Sequence, residues 1–314
     1  MLHPAIKPYA HGLLDVGDGH QIYWEQCGNP QGQPALFLHG GPGGGCTAQA
    51  RRLFDPRRYR IVLFDQRGCG RSTPHASTQA NDCEHLVRDM ERLRGHLQID
   101  QWLLCGGSWG ATLALAYTQL HRQRVQALVL RSVFTGQTHE LNWLYRPGGA
   151  SQVFPEAWQA FASALGPVAP DDLLPSYAQR LSDADPVRQQ HAALAWCAWE
   201  SAIGSLDAGA AAQPPDPRQC LAMARISAHI VVNDPMLRRA GFIWPAHYLA
   251  GIPGIIVQGR FDMVSPSATA WQLHAQWPGS VLRMVNDAGH VSSDAALLKA
   301  LINALDDMEV VCLL

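Results

Sequence analysis

Residues 102–110 read Trp-Leu-Leu-Cys-Gly-Gly-Ser-Trp-Gly, and this stretch decides the fold. The apolar run 102–105 reads as a strand and leads into Gly106-Gly107-Ser108-Trp109-Gly110, a G-x-S-x-G pattern. A helical stretch over 111–119 follows at once. A serine lodged between strand and helix needs a sharp turn, and the turn presses backbone against backbone, so its flanks must be small. The hydroxyl then sits at the head of a helix, where the helix N-terminus favours developing negative charge. Ser108 is therefore the candidate nucleophile.

Outward from this corner, strands and helices alternate. Upstream, 35–38 runs into His39-Gly40-Gly41-Pro42-Gly43-Gly44-Gly45, and 60–64 runs into Asp-Gln-Arg-Gly-Cys-Gly-Arg-Ser. Between them and the serine, Leu86, Met90, Leu93 and Leu97 recur at helical spacing over 85–97. The opening stretch 12–28 alternates like an antiparallel hairpin. Downstream, 125–130 is another strand. From about 135 to 245 the chain turns rich in Ala, Trp, Gln and Pro, with helices expected over 157–165, 186–201 and 219–231 and a loop at 213–217. Strands return at 254–258 and 280–285, and a last helix is expected over 293–304. The pattern predicts an α/β protein: a mostly parallel sheet flanked by helices, with a helical cap inserted. On this reading residues 1–134 and 246–314 form the catalytic domain and residues 135–245 the cap.

The chemistry follows the strand ends. The glycines after His39 let backbone N–H groups approach an oxyanion. The N–H groups of Trp109 and Gly43 are the expected pair, with Gly41 as the alternative second donor. No Lys-Ser/Thr pair follows the glycines, which argues against a phosphate-binding loop. An acid and a base are expected after the serine. Asp262 follows the strand 254–258 and His290 follows the strand ending near 285, each at the sheet edge that carries Ser108. His290 would take the Ser108 proton and pass it to the leaving group, while Asp262 fixes the imidazole tautomer. Asp287 is the competing acid, though it lies close in sequence to His290.

Composition narrows the alternatives. With 314 residues, 47% hydrophobic and 16% charged, the chain can bury a large core. The net charge of −2 comes with no basic stripe, so no nucleic-acid partner is expected. No apolar run has the length of a membrane span. Residues 1–9 lack the apolar core of a leader peptide. Eight cysteines are scattered without a C-x-x-C pair, which points to a reducing cytoplasm. Fourteen histidines show no ligand spacing, so neither a metal nor another cofactor is expected. Nothing signals an oligomeric state, and the short apolar tail 310–314 suggests no function.

The motifs together resemble the proline iminopeptidase (prolyl aminopeptidase) family. The resemblance rests on EQCGNP (25–30), HGGPGGG (39–45), YRIVLFDQRGCGRSTPH (59–75), GGSWGATLALAY (106–117), WCAWE (196–200), IPGIIVQGRFD (252–262) and AGH (288–290). It implies an α/β-hydrolase fold with a helical cap and the removal of N-terminal proline from peptides without a metal. It also implies a triad of Ser108, His290 and Asp262. On the substrate side it implies that cap carboxylates hold the free amine and aromatics hold the proline ring. Glu200 matches one carboxylate, and Phe134 and Tyr145 match pocket aromatics. Ser227 stands where the family has a second carboxylate, and Ile230 and Val231 stand where it has aromatics. Ser227 and Val231 are therefore the substrate-binding positions expected to differ. The expected substrate is a small molecule or short peptide. Two other functions stay open: a paralogous hydrolase or acyltransferase-like enzyme acting on a non-prolyl ester, amide or thioester, and a non-catalytic binding protein. The intact Ser108, Asp262 and His290 set argues against the last.

Overall fold

The computed structural model describes residues 1–205, 216–239, 242–291 and 294–312, with side chains to residue 308. Residues 213–215 of the expected loop, position 293 of the expected last helix, and residues 313–314 of the tail lie outside the described residues. Eight strands form one sheet: β1 (Ala10–Gly17), β2 (His20–Gly28), β3 (Gln33–Leu38), β4 (Tyr59–Phe64), β5 (Trp102–Ser108), β6 (Val125–Val133), β7 (Gly254–Gly259) and β8 (Ser280–Val285). Their order is β1-β2-β4-β3-β5-β6-β7-β8. The β1–β2 hairpin is antiparallel, as the alternating opening stretch predicts; β2–β4 is antiparallel as well, and the remaining pairs are parallel. Every residue of β5 and β7 is buried, because helices cover both sheet faces there.

Among the described residues ten helices accompany the sheet: α1 (Cys83–His96), α2 (Trp109–Leu120), α3 (Thr138–Tyr145), α4 (Pro155–Ser163), α5 (Leu173–Arg180), α6 (Pro186–Gly204), α7 (Pro217–Asn233), α8 (Pro235–Arg238), α9 (Ser267–Gln276) and α10 (Ala295–Cys312). The core on one face takes Leu86, Met90 and Leu93 from α1, Leu113 to Tyr117 from α2, and Ala270 and Leu273 from α9. The other core takes Leu297, Leu301 and Leu305 from α10, with Ala50 and Leu53 from a 3-10 turn. The chain leaves β3 toward the α10 side and leaves β5 into α2 on the opposite side. β3 and β5 are hydrogen-bonded neighbours, with Leu38 opposite Gly106. Their two loops therefore diverge over one crevice at the carboxyl edge, where α/β sheets bind their ligands.

Among the described residues six helices, α3 to α8, lie between β6 and β7. They hold an aromatic core of their own: Phe161 stacks on Tyr177 with ring centroids 4.5 Å apart and on Trp199 at 5.8 Å. Helix α7 serves both bodies. Cys220, Ala224 and Ala228 face the aromatic core, while Ala222, Ile226 and Ile230 face the main one. Asp234, at the end of α7, accepts the N–H of Cys83 at 2.6 Å and those of Met236 and Leu237 at 2.7 and 3.1 Å. It thereby ties this layer to the start of α1.

Helices α3, α5, α8 and α9 go beyond the sequence expectation. They are short, and side-chain hydrogen bonds fix the starts of α3 and α8. Glu140, in the first turn of α3, accepts the N–H groups of Thr135 and Gln137 and the hydroxyls of Thr135 and Thr269. Helix α10 runs to Cys312, eight residues past the expected end at 304. Among the described residues no helix is long and apolar enough to cross a membrane.

Candidate active site

Ser108 sits on the corner between β5 and α2 with φ 55° and ψ −122°, a conformation unfavourable for a residue bearing a Cβ. Close packing imposes it. A Cβ at Gly106 would lie 2.2 Å from the carbonyl oxygen of Gly110, and one at Gly110 would lie 2.1 Å from that of Leu38. Both glycines of the pattern are thus steric requirements of the turn. The Ser108 side chain is almost covered, at 9% exposure, so only a small opening reaches it.

His290 and Asp262 come together as the strand ends suggest. Nδ1 of His290 lies 2.9 Å from each carboxylate oxygen of Asp262. The buried Asp262 also accepts the N–H groups of Val264 at 3.0 Å and Ser265 at 2.7 Å, and the amide of Gln258 at 3.3 Å. Burial raises the Asp262 pKa, but His290 and the surrounding donors outweigh it and hold the carboxyl below its ordinary value. Asp287 is exposed, and the imidazole is engaged by Asp262 instead. The His290 backbone is fixed too. Its N–H donates to Gly204 at 3.3 Å, and its carbonyl accepts from Arg131 Nη1 and from Ser132 Oγ at 3.5 Å. Among the described residues neither Ser108 Oγ nor His290 Nε2 makes a hydrogen bond. Catalytic hydrogen bonds are often long before substrate arrives.

The loop after β3 is held by His39. Its Nδ1–H donates to the Gly40 carbonyl at 2.9 Å, and its Nε2 accepts the Gln66 N–H at 3.0 Å. Gly41 and Gly43 have φ of 117° and 88°. A Cβ at Gly43 would lie 2.8 Å from the carbonyl oxygen of Ala222 in α7, so the loop and the helical layer meet at this glycine. Trp109 is the first residue of α2, where backbone N–H groups lack intrahelical acceptors. Sequence reasoning assigned no role to Gln66, Gln258, Arg131 or Ser132. The first lies inside the quoted DQRGCGRS motif and could have been singled out there. The other three look like ordinary strand residues.

Glu200, on α6, is half-buried. Its Oε1 accepts the Tyr145 hydroxyl at 3.1 Å and the Trp196 indole N–H at 2.7 Å. Burial pushes its carboxyl up to about 7, against the lowering effect of those two donors. Oε2 has no donor among the described residues. Phe134 follows β6 and joins the same aromatic cluster as Tyr145. Ser227 is buried, and its hydroxyl donates to the carbonyl of Pro42 at 3.1 Å, so it braces the loop. Val231 is half-buried against the aromatic core of the helices between β6 and β7. Among the described residues no three His, Cys, Asp or Glu side chains cluster as metal ligands.

A parallel sheet carrying a serine elbow, a glycine loop and an Asp-His pair at one edge defines an α/β hydrolase, and the family model for the alpha/beta hydrolase fold matches residues 33–294. The chain is 45% identical over 314 residues to a proline iminopeptidase of Xylella fastidiosa, covering 97% of this chain and 98% of the relative. It is 43% identical over 321 residues to the proline iminopeptidase of Arabidopsis thaliana, covering 98% and 82%. Within the α/β hydrolases, the chain belongs to the proline iminopeptidase family. A solved structure of a proline iminopeptidase-related protein from Thermus thermophilus shares the fold, with a TM-score of 0.57, 22% identity, and coverage of 96% of this chain and 98% of that one.

Proposed function

We propose that this chain is a serine aminopeptidase that releases N-terminal proline from short peptides, with residues 135–245 as the cap over its site. The observation that carries the substrate assignment is Glu200. It is a carboxylate in an aromatic enclosure with one oxygen held by Tyr145 and Trp196 and, among the described residues, no donor on the other, which leaves it to a cation. A free secondary amine, protonated and flanked by an apolar ring, matches that chemistry. Phe134 and Tyr145 supply apolar surface for the ring. Ser227 and Val231 add no second charge, so amine recognition rests on Glu200.

In the proposed mechanism Ser108 Oγ attacks the prolyl carbonyl while His290 Nε2 takes its proton. Asp262 keeps Nδ1–H oriented and stabilises the imidazolium. The oxyanion is held by the N–H groups of Trp109 and Gly43, with Gly41 as the alternative donor. His290 then protonates the departing amine, and water, deprotonated by His290, releases proline from Ser108. The reaction needs no metal or cofactor. The seven described cysteines are free thiols, which supports a cytoplasmic setting.

The test pairs a prolyl arylamide with a small nitrophenyl ester. Ser108→Ala should remove at least about 10⁴-fold of activity on both while leaving the unfolding midpoint intact. Glu200→Gln should depress prolyl turnover selectively. Ester turnover without prolyl turnover in the unmodified protein would instead assign a non-prolyl acyl substrate.

A further inference from the structure

Behind the nucleophile, on the α10 side of the sheet, lies a cavity of about 310 Å³, a volume at the lower end of small-molecule sites. Its origin can be read from the register. Gly107 on β5 pairs with Arg131 on β6, and both face α10. Gly107 has no side chain, so the guanidinium lies over it: a Cβ there would fall 2.5 Å from Nη2 and 2.7 Å from Nε. The divergence of the β3 loop toward α10 roofs the remaining space. Leu53, Leu298 and Leu301 form apolar walls, and the exposed Thr47 and Gln49 mark the mouth.

The charge in this cavity is incompletely used. Arg131 gives Nη1 to the His290 carbonyl and to Ser132 Oγ, the latter at 3.0 Å. Its Nε and Nη2 have no acceptor among the described residues. Neither atom is among the fully buried unpaired groups, so this edge meets open space. Among the described residues no carboxylate lines the cavity. A guanidinium edge with two parallel N–H groups matches a carboxylate in bidentate geometry. The walls exclude a bare inorganic ion as a good fit, because it would leave the leucines unfilled. They exclude a zwitterionic amino acid too, because no acid is present to receive its ammonium.

We infer that this cavity binds a small apolar monocarboxylate, its carboxylate on the Nε/Nη2 edge of Arg131 and its body between the β3 loop and α10. Glu200 does not line this cavity. Because Arg131 also holds the His290 carbonyl, its occupant stabilises the backbone of the catalytic base.

Binding is tested on the full chain without any turnover assay, so the outcome does not depend on the prolyl assignment. Benzoate should raise the unfolding midpoint by about 3 °C at saturation. Benzamide, of the same shape but neutral, and inorganic phosphate should not. Leu298→Trp, which fills the cavity from α10, should abolish the benzoate shift and heat of binding, as should Arg131→Gln. Equal shifts with benzamide or phosphate would overturn the inference. So would undiminished benzoate binding in Leu298→Trp, which does not require Arg131→Gln to fold, or the absence of any benzoate binding by calorimetry in the unmodified protein.

Discussion

Gln66 Oε1 accepts the indole N–H of Trp109 at 2.9 Å, while Gln66 Nε2 donates to the His39 carbonyl at 3.0 Å. One buried amide thus joins the residue after the nucleophile to the first residue of the glycine loop. The two proposed oxyanion donors belong to different loops that diverge across the sheet, and this bridge sets their separation. Gln66→Leu should lower kcat about 10- to 100-fold with little change in KM, because the donors act on charge present only in the transition state. Prolyl arylamide and simple ester should be affected alike. A change confined to KM, measured by steady-state kinetics, would refute the positioning role.

Glu200 separates substrates where Gln66 does not. Losing its charge removes a charged hydrogen bond worth about 1.5–3 kcal/mol, or roughly 10- to 100-fold in prolyl kcat/KM. Its carboxyl must be ionised to hold an ammonium, and burial pushes its pKa up to about 7. Deprotonation of His290 shapes the pH profile of both substrates, so prolyl kcat/KM should carry one further ionisation near pH 7 that the ester profile lacks and that Glu200→Gln removes. The sign for stability is opposite. Between the ordinary carboxyl value near 4.5 and about 7 the folded chain binds a proton that the unfolded chain has lost, so this group's contribution falls as pH rises through that window. Chemical unfolding at pH 5 and pH 8, with and without Glu200→Gln, measures it.

Asp262→Asn should lower kcat by about 10³–10⁴-fold while the fold persists. The amide keeps an acceptor for Val264 and Ser265 N–H groups but presents no negative charge to His290 Nδ1. With the native carboxyl held below its ordinary value by His290 and its donors, lowering the pH of the unmodified protein should weaken the pair only well below neutrality. Residual ester turnover as a function of pH distinguishes the two cases.

The parts legible in the sequence are those where one local constraint dominates. The elbow could be read because Gly106 and Gly110 are required by contacts of 2.2 and 2.1 Å with backbone. The Asp-His pair was placed by two strand ends that parallel pairing brings to one edge. The Gln66–Trp109 bridge spans 43 positions and depends on side-chain direction, which neither periodicity nor spacing encodes. Short α5 and α9 have weak local signals and are held by packing. Glu200 was expected from the resemblance alone; its donors Tyr145 and Trp196 lie 55 and 4 residues away, so only the fold shows which oxygen is free.

Asp234 connects the inserted helices to α1 by accepting three backbone N–H groups. Asp234→Ala strands the Cys83 donor in a buried position and uncaps α8. The expected cost is about 2–4 kcal/mol. Loss of protection at the α1 N-terminus and in α8, read by hydrogen exchange, would localise it. An unchanged unfolding free energy would show that the junction does not depend on this carboxylate.

Ser227 offers the sharpest separation of bracing from substrate contact. Its hydroxyl is buried and donates to the Pro42 carbonyl at 3.1 Å, so the α7 serine holds the loop that carries Gly41 and Gly43. Ser227→Ala removes a donor and leaves a backbone acceptor unpaired, at a cost of about 1–3 kcal/mol in stability. If the hydroxyl acts on the loop, kcat should fall several-fold for prolyl arylamide and ester together, with KM nearly constant. If it instead contacts the substrate amine, KM should rise for the prolyl substrate alone. Paired kinetics on the two substrates decide between them, since the ester has no amine to bind and shares the same oxyanion.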